Sequence, residues 1–328
     1  MKPLLAALPL LVITDARSSE VPPAPPSGTP FAEEAYWAPV LDYTRPGSLH
    51  GVANLDLTDR FVTAAGLLLE NQGVMLQPAL LLNTPLFADA THWYNNVSLT
   101  LGGWSSWDSH AGGEVPDHWR EVDLLAGLTL TLDRNWKLSA FHTTYVSQTD
   151  SFPTSSDLAL ALTYDDTEWL GQAALHPFIE FKLQTDGNTN LPYADAVADE
   201  GSMLRFGIIP QRQIGRCKVE LPVYFTVASD GFYLESPTVR ASGYDGSAVA
   251  DLGWQSASGG VGFISAALKV TLPLDWLSTT AIHTSAYAAV QYYHLVHDGL
   301  LDTNQVLGAT SSRQEDILQF HLGLNLAF

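Results

Sequence analysis

The chain has 328 residues, 46% of them hydrophobic and only 15% charged, with 15 Lys+Arg against 35 Asp+Glu and a net charge of −20. No run of eighteen apolar residues occurs, which excludes a bundle of membrane-spanning helices, and the acid excess repels a phosphate backbone, which excludes a nucleic-acid partner. A single cysteine, Cys217, leaves no disulfide framework and no Cys-based zinc site within one chain. Low charge combined with many aromatic residues favours a β-structure whose outer surface is apolar.

The first elements are expected to precede the main domain. Met1-Lys2 followed by the apolar Leu4–Ile13 is too short to span a bilayer and has the form of an export signal, assigned to residues 1–19. Residues 20–48 carry Val21-Pro22-Pro23-Ala24-Pro25-Pro26, an extended Pro-rich linker. The aromatic segment Phe31–Pro46 follows, a candidate short helix or lumen plug.

Residues 49–328 are expected to form one domain. Period-two alternation dominates there, the signature of strands. At the end of the chain Leu318, Phe320, Leu322, Leu324, Leu326 and Phe328 fall on one face, and Gln319, His321, Gly323, Asn325 and Ala327 on the other. Val122, Leu124, Ala126, Leu128 and Leu130 form a second such face. Twelve strands are expected, over 51–59, 74–84, 93–103, 120–131, 136–147, 157–164, 169–183, 202–210, 217–228, 259–272, 277–293 and 316–328, with ten or fourteen as alternatives. Parity is less clear around Lys137–Val146, Val261–Thr271 and Thr280–Tyr293. Strands of this length suit a hydrocarbon core crossed at a tilt better than a soluble sandwich.

Connections alternate between short and long. Leu132–Asn135, Asp165–Glu168 and Pro273–Asp275 read as tight turns, whereas 104–119, 147–156, 184–201, 228–258 and 294–315 are long. An antiparallel up-and-down transmembrane β-barrel alternates in this way. Trp93, Trp136, Trp169 and Trp276 sit at strand starts after short turns, and Trp104, Trp107 and Trp119 flank a long loop. With Phe328 these are the expected membrane-interface aromatics. Tryptophans capping a β-sandwich core are the competing reading.

Facing inward on this pattern are Asp56, Arg60, Glu121, Asp123, His176, Glu180, Lys182, Arg205, Lys218, Glu220 and His321, the candidate pore-lining residues. Acids and bases in a lumen either pair across it or line a wet pore. The long loops are rich in acids, against which stand only Arg240 and Arg313. Such a mouth attracts cations and could hold divalent ions, though no EF-hand spacing occurs. No cofactor motif, H-E-x-x-H, G-x-S-x-G or Walker loop is present. His142-Thr143-Thr144 and His283-Thr284-Ser285 place a hydroxyl near an imidazole, a weak basis for a rim hydrolase, so no residue is assigned as catalytic.

Leu57-Thr58-Asp59-Arg60-Phe61, Gln77-Pro78-Ala79-Leu80, Trp104-Ser105-Ser106-Trp107 and the terminal Phe328 resemble bacterial outer-membrane β-barrel proteins and, more loosely, the TorF-type porin family. The chain departs from that family in having Phe61-Val62 after Arg60, with no Gly. The resemblance implies an outer membrane, with its lipid and lipopolysaccharide around the wall, and recognition of Phe328 by the barrel-assembly machinery. The expected function is a narrow porin-like channel for passive passage of small solutes or cations. A closed structural or adhesive surface barrel is the alternative.

Overall fold

A computed structural model describes residues 47–89, 91–110, 119–133, 135–148, 153–187, 200–243, 252–279, 282–307 and 313–328. The expected export signal, and the linker and candidate plug segment up to residue 46, lie outside the described residues.

Twelve antiparallel strands close into a barrel. They are β1 (His50–Thr58), β2 (Met75–Ala88), β3 (Tyr94–Asp108), β4 (Trp119–Leu132), β5 (Trp136–Ser147) and β6 (Ser155–Tyr164). The second half comprises β7 (Phe178–Asp186), β8 (Ser202–Ile208, continued by Gln211–Ile214), β9 (Cys217–Glu220 and Val223–Ala228), β10 (Gly260–Pro273), β11 (His283–Leu295) and β12 (Asp316–Ala327). Each strand pairs with its neighbours in sequence, and β12 returns to β1 through Thr58↔His321 to Val52↔Ala327. Closure removes every free edge, the condition for crossing hydrocarbon with strands. No described helix is long and apolar enough to cross a membrane.

Period two decides which side chains meet lipid. On β12 Leu318, Phe320, Leu322, Leu324 and Leu326 are exposed, while Gln319, His321 and Asn325 are buried. On β4 Leu124 and Leu128 point outward and Glu121, Asp123, Thr129 and Thr131 inward. On these strands the inner face is polar and the outer one apolar, the inverse of a soluble core, whereas Phe178, Met203, Tyr224, Phe263 and Tyr293 bring apolar side chains inward on β7 to β11. Aromatic residues cluster at the short-turn end: Trp136 lies 4.5 Å from Tyr164, centroid to centroid, and Tyr164 5.9 Å from Trp169.

Several expected boundaries move: the second strand runs on to Ala88 and the third to Asp108, which shortens the long connection expected over 104–119. The seventh strand begins at Phe178 rather than at residue 169, because Thr167–Leu170 forms a helical turn (α1) and Gly171–Ala173 a 3₁₀ turn. Asp166 fixes this connection, its carboxylate accepting the N–H groups of Leu175 (3.0 Å) and His176 (2.9 Å). The eleventh starts at His283 because Asp275–Leu277 is still turn, braced by Leu277 N–H to Leu274 O. The ninth is interrupted at Leu221-Pro222, where proline has no N–H for the ladder.

The unclear parity near Val261 has a local cause. Pairing of β9 with β10 slips between Phe225 and Val227, and the consecutive residues Gly262 and Phe263 are both buried. Thr226 closes the bulge, its hydroxyl accepting the Phe263 N–H at 3.0 Å.

Candidate functional site in the lumen and at the loop mouth

The inner wall holds short charged networks. On β7 and β8 Glu180 and Arg205 pair at 2.6 Å, both about 1% exposed, with the guanidinium 5.2 Å from the Tyr224 ring centre. One strand back, Lys182 meets Asp157 at 2.6 Å, and the Tyr145 hydroxyl donates to Asp157 at 2.6 Å while accepting from Lys182 at 3.0 Å. Across the closure of the barrel, Asp56 takes His321 Nδ1 at 2.7 Å and the Tyr287 hydroxyl at 2.8 Å. The Lys269 ammonium stands 4.6 Å from the Tyr287 ring centre. Lys218 and Glu220 pair at 2.9 Å near the short-turn end.

Most inward cations lie on one side, with Lys137, on the inward parity of β5, as an exception. The consecutive strands β7 to β10 each carry one inward Lys or Arg: Lys182, Arg205, Lys218 and Lys269. The inner faces of β3 and β4, across the barrel, carry Asp108, Glu121 and Asp123 and, among the described side chains, no Lys or Arg.

Some expected positions differ. Arg60 lies past the end of β1, with Nε 3.9 Å from Asp59, so it belongs to the mouth and not to the wall. His176 sits in the β6–β7 connection rather than on a strand. Trp104 is 6% exposed and packs inward on Phe61 (5.4 Å) and Met75, so it is no interface residue. The reason is parity: Trp104 and Trp107 are three apart on one continuous strand and must face opposite sides. Trp107, Trp136, Trp93, Trp169 and Trp276 are exposed, as is Phe328, which lies against Gly51. The side chain of Trp119 lies outside the described residues. Sequence reading missed Asp157, Tyr145, Tyr287 and Lys269. Strict parity marks Asp157 and Tyr145, whereas the β10 bulge hides Lys269.

At the long-loop end the connections fold over the lumen. After β1 the chain forms a ribbon in which Phe61–Val62 pairs with Leu68–Glu70. Its tip, Ala64, Ala65 and Leu67, is buried. Gly66 turns the tip at φ +84°, and a Cβ there would stand 2.7 Å from the Phe263 ring, so both conformation and space require glycine. Val62, Leu67 and Leu68 join one apolar cluster with Tyr233, Phe263, Tyr293 and Leu300. Three hydrogen bonds fasten the tip: Tyr233 hydroxyl to Ala65 O (2.8 Å), Leu68 N–H to Asn304 Oδ1 (2.9 Å) and Asn304 Nδ2 to Gly66 O (2.9 Å).

Asn304 stands on α3 (Asp298–Leu307), which follows β11. Beside it is α2 (Pro237–Ser242), capped by the Ser236 hydroxyl accepting the Val239 N–H at 3.1 Å. The two loop arginines converge here. Arg240 reaches Glu235 at 2.8 Å and Asp302 at 3.1 Å, and Arg313 reaches Asp298 at 2.8 Å and Asp302 at 3.0 Å. Burial pushes the Asp302 carboxyl up from its ordinary value against the pull of Arg313 and Arg240. The Arg313 hydrogen bond holds Asp298 below its own.

At the opposite end Asp165, Asp166 and His176 bring one ligand atom each within 4.8 Å of one another. These atoms could hold a divalent ion, but they also brace the turn: Asp165 Oδ1 accepts the Thr167 N–H at 3.0 Å, and His176 Nε2 lies 2.7 Å from Gln211 Nε2. Burial lowers the His176 pKa. His142 points outward on β5, opposite Ala126 and Leu158, and Thr144 lies opposite Leu124 and Ser156. None of these four neighbours is an acid that could orient the imidazole as a base.

A closed antiparallel barrel with a polar interior, an apolar exterior and rim aromatics defines an outer-membrane β-barrel. No family model and no curated protein matches the chain. Among solved structures it is similar to the outer membrane phospholipase A from Escherichia coli (12% identity, 87% of this chain and 94% of that one, TM-score 0.37). It is also similar to the NanC porin (9%, 83% and 98%, TM-score 0.40) and to an outer membrane channel from Pseudomonas putida F1 (12%, 87% and 97%, TM-score 0.38). None of these three likenesses reaches a TM-score of 0.5, and nothing about this chain's activity follows from them.

Proposed function

We propose that this barrel is a narrow channel for passive passage of small polar solutes and cations across the outer membrane. The observation that carries this reading is the polar inner wall. Buried Asn96, Ser98 and Thr100 on β3, Thr129 and Thr131 on β4, and Ser139 and Thr143 on β5 suit a water-lined path rather than an apolar filling. Cation preference is argued from the acidic β3–β4 wall and from the net charge of −20. With the long loops facing outward, as in barrels of this class, both ends of the barrel chain lie on the periplasmic side, where Phe328 would be read by the assembly machinery.

A second reading, a closed surface barrel, is favoured by one observation: an apolar cluster that begins at the mouth with Val62, Leu67, Leu68 and Leu300 and continues along the inner wall through Phe263 and Tyr224 to Phe178 at the start of β7. Single-channel recording in a planar bilayer under a salt gradient separates the two. Discrete current steps with a cation-selective reversal potential support the channel. A folded barrel that passes no current under any applied voltage, even with the mouth ribbon deleted, supports the surface barrel.

A further inference from the structure

The β1–β2 connection is built unlike an ordinary surface loop. Loops run over the surface because buried backbone needs partners, yet here the tip of a short ribbon is buried. Thr63 closes the turn locally, its backbone and hydroxyl pairing with Gly66 and Leu67, and three further backbone groups are met by side chains distant in sequence. Asn304 serves the tip twice, accepting from Leu68 and donating to Gly66 O, and Tyr233 donates to Ala65 O. Both partners belong to other long connections, Tyr233 between β9 and β10 and Asn304 between β11 and β12. The apolar contacts reach the barrel wall itself through Phe263 and Tyr293. A segment that merely crossed the surface would need neither the positive-φ glycine wedged against Phe263 nor a bidentate amide from a buried helix.

From this geometry we infer that the 61–68 ribbon is a plug seated in the outer mouth, and that Asn304 and Tyr233 are the residues that fasten it. The inference rests on the channel reading above and adds its regulation: the resting barrel is closed at the loop end, and passage requires the ribbon to leave its seat. Removing the Asn304 amide deletes two hydrogen bonds to the plug backbone, and removing the Tyr233 hydroxyl deletes one. At roughly 1 kcal/mol each, with 1.4 kcal/mol per tenfold, the open population should rise about 25-fold for Asn304→Ala and about fivefold for Tyr233→Phe.

The test reads the plug and the current separately. In a Cys217→Ser background, Leu67→Cys places a thiol at the buried tip, and an impermeant maleimide is applied to the loop side of the full-length barrel in liposomes. Only protein migrating as the heat-modifiable folded form is scored, so a variant that fails to fold does not count, and Tyr233→Phe stands in for Asn304→Ala if the latter does not fold. Slow labelling that accelerates in both variants, in the predicted order and with more frequent current steps, supports the inference. Faster labelling without current in any variant also supports the fastened plug but removes the channel reading. Labelling that is already fast with Asn304 and Tyr233 intact, or that does not change in either variant, overturns the inference.

Discussion

The barrel wall and the mouth cap are stabilised differently. In the wall, each strand meets its neighbour in sequence, side-chain direction follows period two, and charges pair within or between adjacent strands, as Glu180 does with Arg205. In the cap, segments far apart in the chain meet: Gly66 with Asn304, Ala65 with Tyr233. The wall is thus one cooperative object held by a closed ladder, whereas the cap is held by a few fasteners and separate apolar clusters. Damage to the wall should lower the stability of the whole barrel. Damage to the cap should open the mouth and leave the barrel folded.

The largest expected effect tests the wall. Glu180→Leu leaves Arg205 buried without its carboxylate, which should cost about 3–5 kcal/mol of barrel stability. The double variant Glu180→Leu with Arg205→Met should recover most of that loss, since replacing a buried pair by apolar side chains is often neutral or better. Unfolding by urea in lipid vesicles measures both. Equal losses in the single and double variants would mean that the pair is not the source of the effect. Next in size is the lipid face. Leu322→Arg, on the outer side of β12, should cost about 2–4 kcal/mol if it lies near the bilayer midplane. A loss near zero would place Leu322 outside the hydrocarbon. Smaller again is Gly207→Ala on β8, where a Cβ would stand 2.2 Å from the Val223 carbonyl oxygen of the partner strand. Backbone cannot rotate away as a ring could, so a loss of about 1–3 kcal/mol is expected in the same assay.

These effects fall where the sequence was readable, and for the same physical reason. A strand buried on one face and bathed in lipid on the other must alternate, so β4 and β12 could be written out residue by residue with no structure. Alternation fails at two kinds of position. Where the ladder slips, as at Gly262-Phe263, the phase is lost and Lys269 goes unseen. Where tyrosine serves both faces, as in Tyr292 outward and Tyr293 inward on β11, residue type no longer tells direction. Trp104 shows a different failure: the residue type suggested an interface, although its spacing from Trp107 already forbade both facing lipid. The cap was not readable at all. Nothing local marks Asn304 as the partner of Gly66, because their meeting depends on how three long connections fold over one opening. Arg240 and Arg313 stood out only as the rare bases among loop acids, and that rarity was the single sign that they gather around Asp302.

The smallest predicted effect belongs to the cap and turns on that cluster. Asp302 is met by Arg240 on α2, by Arg313 ahead of β12 and by the Ser236 N–H, and Arg240 in turn reaches Glu235 in the β9–β10 connection and Asp298 at the start of α3. Burial raises its pKa in the docked cap, so a proton is held more tightly there than in an undocked, solvated loop. Its contribution to docking is then complete below the ordinary value of 3.8 and is lost as pH rises through the raised value. Asp298 has the opposite sign. The Arg313 hydrogen bond lowers its pKa, so its contribution is present above 3.8 and is lost as pH falls through the lowered value. The two slopes meet, and the cap should be most firmly docked near the ordinary carboxylate range and looser on either side. A few-fold rise in channel open probability on either side of the ordinary carboxylate value of 3.8 is the expected reading. Asp302→Asn should flatten the neutral limb alone, and Asp298→Asn the acid limb alone. If both variants keep the full profile, the titrating groups lie elsewhere and the arginine cluster does not couple the cap to pH.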